Sequence, residues 1–123
     1  MVKKTSTAVI ALFAASLIVT SAYAHPTLKS ANPPVDGTAN APLTELRLNF
    51  SEAIVLNFSS VELQDQGGMK IVTGKIATDA KDGKQLIVPL QAPLKAGKYT
   101  VKWTIVSADT HRMNGTYSFN VAL

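Results

Sequence analysis

From Tyr99 to Ile105 the apolar residues Tyr99, Val101, Trp103 and Ile105 alternate with Thr100, Lys102 and Thr104. A period of two belongs to a strand with one dry face and one wet face, and a helix has no use for it. The same period returns at Leu46, Leu48 and Phe50, and again at Tyr117, Phe119 and Val121. No helical periodicity of useful length exists after residue 24. Further strands are expected at 27–31, 59–64, 71–77 (with Gly74 as a bulge) and 85–90. Asn32-Pro33-Pro34, Asp36-Gly37, Asp65-Gln66-Gly67-Gly68, a polar turn at 79–83 and Pro93-Leu94-Lys95-Ala96-Gly97 punctuate them. About seven short strands with frequent turns predict an all-β fold, a small β-sandwich or Greek-key barrel.

The first 24 residues are read apart from this fold. Lys3 and Lys4 precede an apolar run from Ala8 to Val19, and Ala22-Tyr23-Ala24 offers small residues at a cleavage site. This is the layout of a secretory signal peptide, and at about a dozen residues the run is too short to span a bilayer. Cleavage after Ala24 is expected, leaving 25–123 as one β domain with one core. Export of the mature domain, with no membrane anchor, is expected.

The net charge of +4 counts twelve basic residues, and Lys3 and Lys4 fall in the leader. The remaining lysines are scattered, so no nucleic-acid partner is indicated. The chain has no cysteine. An exported domain without disulfides holds by packing alone, and any metal must find nitrogen, oxygen or methionine sulfur.

Two histidines occur, His25 and His111. Cleavage would give His25 a free α-amine with an ordinary pKa of about 7.7–8.0. Amine and ring Nδ1 can then chelate one metal ion, while Pro26 has no amide proton to surrender to further coordination. Asp109 and His111 lie two apart, and in an extended segment such positions face the same side. Imidazole, amine and carboxylate in tetragonal arrangement suit Cu(II), with Zn(II) or Ni(II) as weaker occupants. The plainer reading keeps Asp109 as a turn residue and His111 as a solvated side chain. Trp103 reads as core.

His25-Pro26-x-Leu28-x-Ser30 and Leu48-Asn49-Phe50-Ser51-Glu52 resemble the CopC family of periplasmic copper-binding proteins. So do Pro93-Leu94-x-Ala96-Gly97-x-Tyr99-x-Val101-x-Trp103 and Val106-Ser107-Ala108-Asp109-Thr110-His111-x-x-x-Gly115-x-Tyr117-x-Phe119-x-Val121. The resemblance covers essentially all of 25–123. It implies a cupredoxin-like or immunoglobulin-like Greek-key barrel binding one Cu(II) per chain through His25, Asp109 and His111. Glu52 then stands beside the site as a hydrogen-bonding support, or is an ordinary strand-end acid.

Some members of that family hold Cu(I) in a methionine-rich loop. The matching stretch here, 63–73, has only Met69 and no histidine. One thioether cannot supply several soft ligands, so a chain handling Cu(II) alone is expected. The implied role is a monomeric binding protein, not an enzyme, that buffers copper or passes it to an inner-membrane importer or another periplasmic carrier. Two other classes remain open: a metal-free structural sandwich, and an oxidative enzyme with a histidine brace. The brace is disfavoured by the short chain, the lack of a flat aromatic face and the anionic Asp109.

Overall fold

The computed structural model describes residues 26–123. The expected leader at 1–24 and His25 lie outside the described residues. Nine strands form among those described: β1 (Leu28–Asn32), β2 (Thr38–Ala39), β3 (Glu45–Phe50), β4 (Ser60–Gln64), β5 (Lys70–Ile71), β6 (Ala77–Asp79), β7 (Asp82–Pro89), β8 (Gly97–Val106) and β9 (Arg112–Val121). They make two sheets, ordered β1-β3-β7-β6 and β2-β9-β8-β4-β5. The sheets stay separate, so the fold is a β-sandwich and not a closed barrel.

The dry faces of the alternating strands meet between the sheets. Leu46, Leu48 and Phe50 of β3 and Leu86 and Val88 of β7 face Tyr99, Val101, Trp103 and Ile105 of β8 and Tyr117, Phe119 and Val121 of β9. Each fully buried side chain of this size contributes roughly 1.5–3 kcal/mol. Phe50 meets Trp103 edge to face at 5.0 Å between ring centroids, and Tyr99 stacks on Phe119 at 5.6 Å. Trp103 is therefore core, as its place in the alternation implies.

Four expectations about the strands change. The stretch 71–77 is not one strand, because the chain crosses from the five-stranded sheet at β5 to the four-stranded sheet at β6. Gly74 is accordingly no bulge: its N–H donates to Pro89 O at 2.8 Å, and a Cβ there would lie 3.0 Å from the Pro89 ring. The turn placed at 79–83 shrinks to Ala80 and Lys81, with Asp79 Oδ1 accepting the Lys81 N–H at 2.8 Å. The count of about seven becomes nine because this split adds one strand and the two-residue β2, parallel to β9, adds another.

Candidate metal centre

β8 and β9 pair antiparallel without a slip from Gly97↔Val121 to Val106↔Arg112. Ten consecutive pairs fix the hairpin tip at 107–111, at one end of the sandwich. There the Thr110 N–H donates to Ser107 O and the Ser107 N–H donates to His111 O, both at 2.9 Å. Thr110 takes a positive φ of 71°. This is a three-residue hairpin loop, a turn followed by a left-handed residue. Asp109 and His111 are thus brought together by chain reversal at Thr110, not by the extended backbone expected from their spacing.

The carboxylate and imidazole are in direct contact, with His111 Nδ1 and Asp109 Oδ2 2.9 Å apart. Ser107, fully buried, donates its hydroxyl to Asp109 Oδ1. The Ser107 hydroxyl, followed by the His111 contact, lowers the Asp109 pKa to about 2. Asp109 is then ionised at neutral pH and can only accept, so His111 must donate from Nδ1. The lone pair falls on Nε2, the tautomer in which a carboxylate orients an imidazole for metal binding. An anionic oxygen donor and an oriented nitrogen donor fit a divalent ion with borderline preferences.

The segment after β3 braces this tip. The Ala108 N–H donates to Ala53 O at 3.0 Å, the Val55 N–H to Val106 O at 2.9 Å, and the Ile54 N–H to Gly83 O at 3.0 Å. Residues 53–55 therefore tie the hairpin to the opposite sheet. Glu52 precedes this brace and is half-buried. It makes no hydrogen bond to Asp109 or His111 among the described residues, and no third acidic or imidazole group gathers with that pair there.

The start of the described chain comes to the same end. Thr27 and Ser51 bond reciprocally, Thr27 N–H to Ser51 Oγ and Ser51 N–H to Thr27 O, each at 2.9 Å. Pro26 is fully buried and shares a hollow of about 300 Å³ with Trp103, Met113, Gly115 and Tyr117. Sequence reasoning missed two features: the Ser107 hydroxyl that grips Asp109, and the hollow itself. A small polar residue two positions before Asp109 was the only signal for the first.

Comparison with known proteins identifies the family. The CopC domain matches residues 28–122. Copper resistance protein C of Xanthomonas campestris pv. juglandis is 39% identical over 117 residues, covering 91% of each chain. Copper resistance protein C of Escherichia coli is 42% identical over 108 residues, covering 82% of this chain and 84% of that one. The crystal structure of PcoC, a methionine-rich copper resistance protein from Escherichia coli, superposes with a TM-score of 0.72 at 36% identity. It covers 80% of this chain and 100% of that one. The fold is thus the β-sandwich of copper resistance proteins, and the chain belongs to the CopC family.

Proposed function

We propose that this protein binds one Cu(II) ion in the periplasm and buffers it, or hands it to an inner-membrane importer or another periplasmic carrier. The observation that carries the reading is the ionised Asp109 carboxylate holding the His111 imidazole at the tip of the hairpin. His111 supplies an imidazole nitrogen and Asp109 an anionic oxygen. His25, freed by cleavage after Ala24, supplies its α-amine and its ring. The buried Pro26 supports this, since it anchors the next residue of the chain beside the hairpin's own strands. Zn(II) and Ni(II) compete more weakly on the same donors. Glu52 serves as a hydrogen-bonding support at the rim. That relatives of this chain are copper resistance proteins supports copper as the ion.

No substrate-sized chemistry is needed for this role, and the protein acts as a monomeric carrier. The test is a Cu(II) titration, against a competing chelator, of two forms: one beginning at His25 and one with an extra residue before it. The proposal expects one-to-one binding by the first and a loss of about 10–100-fold in affinity for the second, the usual effect of disturbing a ligand environment. Equal, weak binding by both forms overturns it and returns the domain to a metal-free structural role.

A further inference from the structure

We propose that the outer face of the five-stranded sheet is a docking surface for a bilayer of anionic lipid. Its cations lie far apart in the sequence, and strand register gathers them. Opposed residues of an antiparallel pair share one side of a sheet, and alternation carries that side along each strand. Lys102 opposes Thr116 of β9 and Glu62 of β4, Lys98 opposes Asn120, and Arg112 opposes Val106. Lys70 of β5 opposes Gln64, two residues along β4 from Glu62. Lys70, Lys98, Lys102 and Arg112 thus stand on one face, and all four are exposed. Lys98, Lys102 and Val106, the residue opposite Arg112, recur every four residues along β8, so the row spans about 26 Å at strand rise. Glu62 shares the face and lies 3.7 Å from Lys70. Lys98, Lys102 and Arg112 enter no ion pair among the described residues. The other sheet differs, because its Arg47 is neutralised within its own face by Glu45 at 3.2 Å and Asp79 at 3.1 Å.

This distribution fits an extended anionic surface better than a protein partner. A protein interface centres on apolar side chains and keeps charge at its rim. Here the order is reversed. Lys102 lies on β8, the middle strand of the five, while the exposed apolar side chains stand at the β4–β5 margin. Phe58 precedes β4, and Met69 and Val72 flank β5, with exposures of 70%, 71% and 68%. Cations facing lipid phosphates and apolar side chains entering the headgroup layer are the two contributions that hold a protein on a bilayer without crossing it. The face includes neither Asp109 nor His111, so the inference stands independently of the copper reading.

The experiment uses the metal-free processed chain beginning at His25, since the apolar run at 8–19 would itself adhere to lipid. Co-sedimentation with phosphatidylglycerol vesicles is compared with that on phosphatidylcholine vesicles at low salt. One triple variant, Lys98→Gln with Lys102→Gln and Arg112→Gln, discharges the face. A second, Lys29→Gln with Lys81→Gln and Lys84→Gln, removes the same charge from exposed positions on β1, the β6–β7 turn and β7, all of the other sheet. Each cation near an anionic bilayer is worth about fivefold in partitioning, so the first triple variant should lose about 100-fold and the second little. Lys102→Gln alone should lose about fivefold, which keeps the test if the triple variant is unstable. Binding of the parent should also weaken as salt is raised, because the ions screen exposed charges. Equal binding to both lipids, or equal losses in the two triple variants, overturns the inference. So does binding to soluble polyglutamate with none to vesicles, which would assign the face to an acidic protein.

Discussion

Ser107 and Asp109 form the smallest unit on which the site depends. The hydroxyl is buried at the tip, and the carboxylate it grips titrates at about 2 against an ordinary value of about 3.9. A lowered carboxylate pKa means that the folded state favours the anion. That contribution is fully present above the ordinary range and is lost as pH falls through about 2. Ser107→Ala removes the largest cause of the shift. The Asp109 titration, followed by NMR of its side-chain carboxyl, should then move upward toward the ordinary range. Cu(II) affinity should fall by roughly tenfold, as for other groups that orient a ligand. An unchanged titration would show that the hydroxyl does not hold the carboxylate. Asp109 and His111 were legible in the sequence as a pair, because two donors two residues apart stand out in a chain with two histidines. How they meet was not legible. A β-branched residue such as Thr110 seldom takes a left-handed conformation, so nothing in its type announced the reversal.

Among the elements, the β8–β9 hairpin carries the site, and Gly115 shows how closely it is packed. Trp103 pairs with Gly115 across the hairpin, and a Cβ at 115 would lie 2.4 Å from the indole ring. The absent side chain lets the ring lie across the neighbouring strand. Gly115→Ala must displace the indole, at a cost of roughly 1–3 kcal/mol for an overpacked core. Chemical denaturation should show the loss, and Trp103 fluorescence should shift as the ring moves. A variant as stable as the parent with unchanged emission would contradict this packing. The long strands were legible because each has one dry face against the core, and burial imposes the period of two. β2 and β5 were not, since two residues cannot display a period and their pairing is set by the strands they join. The crossing at 72–76 was misread as strand because Ile71 and Ile76 are apolar. Ile71 packs on the core from β5, and Ile76 packs on it from the crossing just before β6.

For the whole molecule, a sandwich without disulfides sets the stability on which metal binding acts. The described residues contain no helix long and apolar enough to cross a membrane. A ligand that binds only the folded state stabilises it by mass action, by about 2.7 kcal/mol at a hundredfold excess over Kd. Cu(II) should therefore raise the Tm of the chain beginning at His25. The increment should shrink on acidification, because protons compete with the metal for its nitrogen donors. Asp109 takes no part in that loss, because it stays ionised down to about pH 2. A copper-induced Tm increment that persists unchanged at pH 5 would mean that oxygen donors alone hold the ion. The most direct measurement is a crystal structure of the processed chain with Cu(II), with anomalous data collected at the copper edge. The account predicts one peak bonded to His111 at the hairpin tip, reached also by the amine and ring of His25. A peak elsewhere on the sandwich, or none at full copper loading, would contradict it.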